Sequence, residues 1–211
     1  NPECKVFLGF NRSSAGIFAE LKNFMSRESG FMTANCYMSV NRSPVTRNMS
    51  DTDFAILEHL CHFTDMILRL VTLEKAFPCV ITPEKIPVNK SIFRFSWSIA
   101  FADKSRVSFD YSEIPNLFEG MEEVIEVRKS NLNAKLLNFQ ELQTEFSGKI
   151  FNKKSLFRDH GHKVSIKEAF ISTTENIGSG VSVEHIEATS KLYLKIMEAM
   201  NKMTSTEVFL D

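Results

Sequence analysis

The chain has 211 residues, with 25 Lys and Arg against 26 Asp and Glu, a formal net charge of −1 and 43% hydrophobic residues. That length is enough for one core of ordinary size, and the charge balance excludes both a disordered acidic tail and a polycation. The aromatic share is dominated by 19 Phe against 3 Tyr and 1 Trp, side chains with no polar handle that prefer dry faces.

Reading from the N-terminus, Asn1-Pro2-Glu3-Cys4 shows no initiator Met and no basic-then-apolar leader, which points to a trimmed or processed start. Lys5–Phe10 reads as a short apolar strand, so strands are expected near 4–10 and, after a helix near 15–27 carrying Ile17, Phe18, Leu21, Phe24 and Met25, near 32–40. Ser50 is placed to cap a largely buried helix over 51–76 that ends at Phe77-Pro78. Pro78, Pro83 and Pro87 then punctuate an extended connector.

Phe93, Phe95, Trp97, Ile99 and Phe101 alternate with Arg94, Ser96, Ser98 and Ala100, and the period of two resumes at Val107, Phe109 and Tyr111. This predicts an antiparallel hairpin of strands near 92–101 and 106–112, one face dry and one wet. Beyond Pro115, Leu117, Met121, Leu132, Leu136, Phe139, Leu142 and Phe146 fit a long amphipathic helix over 116–147. Ser165-x-x-Glu168 predicts a capping box for a helix near 166–177. Ser182 caps a last helix near 183–203, and Glu207-Val208-Phe209-Leu210 follows as a tail or edge strand. The expected fold class is therefore α+β, a small mainly antiparallel sheet with helices on one face. It forms a single domain over 1–211 with a subdomain seam near 115.

Four cysteines, Cys4, Cys36, Cys61 and Cys79, have no Cys-x-x-Cys spacing, which argues against zinc-ribbon and thioredoxin chemistry and favours a reducing, intracellular compartment. The Asn-x-Ser sequons at Asn11, Asn41, Asn48 and Asn89 are the counter-signal for secretion. No apolar stretch approaches the ~20 residues of a bilayer span.

Candidate chemistry is sparse. His160 and His162 flank Gly161 and could chelate a metal or carry protons, but no neighbour supplies further ligands. His59 and His62 share a side of one helix, with Glu58 four residues before His62. Asp110 with Glu126 is the nearest approach to a two-metal nuclease set, but the motif's lysine is replaced by Arg128. Gly9 to Gly16 spans a strand–helix turn without the P-loop lysine, and Gly178-x-Gly180 lacks a third glycine. No metal site and no cofactor are predicted.

Charge is segregated. Lys149, Lys153, Lys154, Arg158, Lys163 and Lys167 face one acid within 149–167, with Phe151 and Phe157 interleaved, and Glu113, Glu119, Glu122, Glu123 and Glu126 have no base among them. Together with Arg12, Arg42 and Arg47 the basic residues are candidates for nucleic-acid or anion binding. Phe151, Phe157, Glu119, Glu122 and Glu123 are candidates for protein contacts. The expected function is a non-enzymatic binding or self-assembling protein, a profile that fits a viral structural or accessory protein. A nucleic-acid-binding protein and a metal-dependent nuclease or hydrolase are the alternatives. The expected partner is a protein or a second copy, with nucleic acid or an anionic membrane surface as further candidates.

Overall fold

Period-two alternation, more than helical spacing, organises this molecule. The computed structural model describes residues 10–41, 59–84, 93–114, 117, 120–174 and 182–210. Nine strands form one sheet: β1 (Thr33–Val40), β2 (Cys79–Glu84), β3 (Phe93–Ala100), β4 (Arg106–Glu113), β5 (Met121–Lys129), β6 (Leu132–Leu137), β7 (Glu141–Phe146), β8 (Lys149–Lys154) and β9 (Thr206–Val208). Their order is β8-β7-β6-β5-β1-β4-β3-β2-β9. Among the described residues five helices accompany them: α1 (Gly16–Ser26), α2 (Cys61–Val71), α3 (Leu73–Ala76), α4 (His162–Thr174) and α5 (Val183–Lys202).

The sheet corrects the expected fold class in size and kind. It is a large mixed sheet, with β1 parallel to β4 and antiparallel to β5 at its centre and antiparallel pairs outward on either side. A parallel pair requires a crossover; here the chain leaves β1, passes through α2, α3, β2 and β3, and returns as β4. The helix expected over 116–147 is instead β5, β6 and β7. Their inward positions are Glu123, Ile125 and Val127, then Leu132, Ala134 and Leu136, then Leu142 and Thr144. Ser147 (φ 50°) and Gly148 (φ 75°) turn β7 into β8 with both residues left-handed, the geometry that suits the twist of a two-residue hairpin. The connector after Pro78 contributes β2, and the chain end contributes β9 beside it.

The helices cover one face. Phe63 of α2 meets Phe109 at 4.9 Å between ring centroids, and Trp97 packs on Phe109 at 4.2 Å. Trp97 and Phe109 are also register partners across the β3–β4 hairpin. α1 lies on β6 and β7, and α5 lies on β2, β9 and α2. The Ser182 hydroxyl accepts from the His185 N–H at 3.2 Å and caps α5. The capping box at Ser165 does not form, because α4 already begins at His162 and the Ser165 N–H bonds to the Gly161 carbonyl. Strand 4–9, residues 51–58 with Ser50, and the Gly178-x-Gly180 stretch lie outside the described residues. Among the described residues, no helix is long and apolar enough to cross a membrane.

Candidate functional site

Asn11–Ser14 form a 3₁₀ turn ahead of α1, wedged against the start of α2 and against α4. Burial concentrates charge here. Arg12 is 7% exposed and Glu123 1% exposed, and the Arg12 Nε donates to Glu123 Oε1 at 2.6 Å. The other carboxylate oxygen, Oε2, lies 2.9 Å from His160 Nε2. Burial alone would raise the Glu123 carboxyl; the hydrogen bond from His160 and the Arg12 charge outweigh it and hold the group below its ordinary range. Asn138 secures the strand beneath, its Oδ1 accepting from the Glu123 N–H at 2.8 Å.

The loop 158–162 closes over this pair. Arg158 Nη1 donates to the Met121 carbonyl at 2.9 Å, and Asn11 Nδ2 lies 2.8 Å from His162 Nε2. Gly161 sits at φ +80°, and a Cβ there would fall 2.0 Å from the Asn11 carbonyl oxygen and 2.6 Å from the Ala15 nitrogen. Both the positive φ and the backbone contact require glycine. Gly161→Ala is expected to cost about 2–4 kcal/mol through strain and overpacking. Urea denaturation measures this, and a loss below 1 kcal/mol would show that the turn yields.

His62 stands on α2 within reach of the Arg12 charge. Its ring is half-buried, Nδ1 is fully buried with no hydrogen-bond partner among the described residues, and the Phe10 ring meets it edge-on at 6.0 Å. Burial first, and then the Arg12 charge, push its pKa down to about 4 against an ordinary 6.5. The ring is therefore neutral at physiological pH. His59, one turn earlier, is buried and stacks on Tyr111 at 5.9 Å, whose hydroxyl donates to the buried Glu113 at 2.9 Å. Behind them Asp65 is fully buried, with His185 Nε2 at 2.8 Å and Arg69 Nε at 3.1 Å.

A stability consequence follows from His62. Its folded pKa lies below the unfolded one, so the unfolded chain binds the proton first. The contribution is complete above pH 6.5 and is lost as pH falls from 6.5 toward 4. The slope is about 1.4 kcal/mol per pH unit for one proton. Chemical denaturation at stepped pH should show that slope in the native chain and a flatter one in His62→Gln.

The sequence-nominated residues separate. Arg12 and Glu123 come together, but as a buried pair and not as surface contact residues. Lys149, Lys153 and Lys154 lie on the exposed edge strand β8, with Lys153 2.6 Å from Glu20 and Lys154 3.6 Å from Glu141. Arg158 is turned inward to Met121, and Lys163 and Lys167 are exposed on α4. Phe151 packs on Phe24 at 5.5 Å, whereas Phe157 is 79% exposed. Glu122 is exposed, and Arg42, Arg47, Glu58 and Glu119 lie outside the described residues. Asp110 pairs with Arg94 and Glu126 with Lys135, with β1 between them, so the nuclease set is not assembled. His160 and His162 face different partners, and no group of three or more His, Cys, Asp or Glu among the described residues is placed to hold a metal ion. Sequence reading missed the Arg12–Glu123 pair and the Asp65–His185 contact. The available signal was a carboxylate at an inward position, Glu123 in step with Ile125 and Val127.

No protein-family model matches the chain, and no curated protein matches it. Solved structures do. A dehydrogenase from Clostridium difficile is 17% identical at a TM-score of 0.67, over 92% of this chain and 61% of that one. Levoglucosan dehydrogenase, solved with NADH and L-sorbose, is 15% identical at 0.67, over 95% and 65%. A dehydrogenase from Chromobacterium violaceum is 13% identical at 0.71, over 92% and 60%. The chain therefore has a dehydrogenase-type fold and spans less than two thirds of these proteins' length. This likeness corrects the expectation of a non-enzymatic, self-assembling or viral structural protein, because the fold is one that these dehydrogenases share.

Proposed function

We propose that this chain carries the substrate-handling part of an oxidoreductase that acts on a hydroxyl or carbonyl compound, with His62 accepting and returning the substrate proton. The observation that carries the reading is His62 itself: a neutral, partly accessible ring with a bare buried nitrogen beside the Arg12–Glu123 pair. A ring that is unprotonated across the neutral range is in the acceptor form, and with its pKa at about 4 it is a weak base that hands the proton back readily. The fold likeness to dehydrogenases supports the same class of reaction.

A nicotinamide dinucleotide is implied by the NADH in the levoglucosan enzyme. The described residues do not fit it: no glycine-rich strand–turn–helix is among them, and a Cβ on Gly16 at the start of α1 would meet nothing within 4 Å, so no cradle is built there. Only the proton is assigned to this site, and no step is routed through the dinucleotide. The free thiols of Cys36 and Cys79 support an intracellular setting. The test is turnover by the full chain: oxidation of a panel of sugars, polyols and hydroxy acids, followed as product formation with NAD⁺, NADP⁺ or a redox dye as the acceptor. Substrate-dependent product formation with at least one acceptor is expected, and no turnover with any member would overturn the reading.

A further inference from the structure

His62 is carried by α2, so whatever fixes α2 also fixes the ring. Phe63, Met66, Ile67 and Leu70 bury the helix in the core, but apolar contact is non-directional and does not single out one rotation. A directional tie comes from the last helix. Asp65, fully buried on α2, takes His185 Nε2 on Oδ1 at 2.8 Å and Arg69 Nε on both oxygens at 3.1 Å. Burial alone would raise this carboxyl; the hydrogen bond from His185 and the Arg69 charge outweigh it and keep it ionised. An ionised carboxylate only accepts, so His185 Nε2 carries the hydrogen. Arg69 belongs to α2 itself and balances the charge, whereas His185 reaches across from α5. Its own backbone is pinned, because the His185 N–H donates to the Ser182 cap at 3.2 Å.

We propose that Asp65 and His185 are the positioning residues of this site, locking α2 against α5 so that the His62 ring keeps its place beside Phe10. This rests on the reading of His62 given above. Asp65 follows His62 by three positions and so lies on the same side of the helix, one turn on. A rotation or slide of α2 that swings the ring away from Phe10, 6.0 Å distant, must break the 2.8 Å bond to His185. A charge-assisted hydrogen bond held away from water opposes that motion directly. Misplacing a reacting group by about 1 Å can lower a rate about 10²-fold, so a tie one turn away matters at the ring. The 120-residue separation of Asp65 and His185 means that the lock exists only in the folded chain.

The test pairs two substitutions at His185 in the full chain. His185→Leu removes the donor and leaves Asp65 its Arg69 partner, whereas His185→Gln keeps an N–H at the reach of Nε2. NMR of ¹³C-labelled histidine rings reports the place of His62, whose signal is the one lost in His62→Gln. That signal should move in His185→Leu and return to its native position in His185→Gln, because the neighbouring Phe10 ring current depends steeply on distance and angle. On a substrate that the chain turns over, kcat should fall by about 10–10²-fold in His185→Leu with KM little changed, and stay within about threefold in His185→Gln. A folded His185→Leu with the native signal overturns the proposal, and so does His185→Gln shifted as far as His185→Leu. If His185→Leu does not fold, His185→Asn takes its place, its side chain being one methylene too short to reach Asp65. The same His62 signal in the Asn and Gln variants then overturns the proposal. The signal needs no substrate, so it decides the tie even where no member of the panel is turned over. A signal that moves while kcat stays native keeps the tie and removes His62 as the proton carrier.

Discussion

His62→Gln is expected to lower kcat by about 10²–10⁴-fold, the range for losing a positioned proton carrier. The side chain leaves a half-buried site in which burial and Arg12 hold the imidazole neutral at about pKa 4. Glutamine keeps the size and polarity of the ring but cannot take up a proton, so kcat and kcat/KM should fall together with KM little changed. The neighbouring Cys61, whose thiol burial pushes up and which is therefore protonated, serves as the control. Cys61→Ser should keep kcat within about threefold, because a thiol of raised pKa is a poor nucleophile. Steady-state kinetics on both variants, with circular dichroism to confirm folding, decides the matter. A His62→Gln enzyme with native kcat would end the proton-transfer reading.

How much of this was readable beforehand differs between elements for physical reasons. The β3–β4 hairpin declares itself because both strands place large apolar side chains along the inward face, from Phe95 and Trp97 to Phe109 and Tyr111, with Glu113 alone breaking the run on β4. β5 to β7 do not. Their inward positions include Glu123, Ala134 and Thr144, while Val124 and Leu137 face outward, so the apolar residues also fit helical spacing. Turns at Ser130 and at Asn138-Phe139, all left-handed, carry no glycine to mark them. Pairing β1 with both β4 and β5 is a long-range choice that no local pattern encodes. The same holds for the site. His59, His62, His160 and His162 stand out as residues, but their roles depend on partners on other elements: Glu123 for His160, Asn11 for His162, Arg12 near His62. Basic residues at 149–167 look like one strip in sequence. The fold divides them among a sheet edge, an inward-facing arginine and an exposed helix.

Glu123→Gln is expected to cost about 3–5 kcal/mol, the loss for removing one member of a buried ion pair. The carboxylate is 1% exposed and Arg12 8% by side chain, so water does little to solvate the guanidinium left behind. Against a total stability of about 5–15 kcal/mol this is a large fraction, and it should appear as a thermal midpoint lower by roughly 6–20 °C. Two further readings tie the loss to the pair. The first is pH. Glu123 titrates below its ordinary value of 4.5, so its contribution is present above that pH and disappears as pH falls through the folded value; the gap between native and variant should therefore close in acid. The second is the double variant Arg12→Met with Glu123→Leu, which buries no unpaired charge and should recover at least half of the loss. If Glu123→Gln stays within about 1 kcal/mol of the native chain, the Arg12–Glu123 bridge does not anchor the 3₁₀ turn, and its anchorage must come from Gly161 and the Asn11–His162 contact instead.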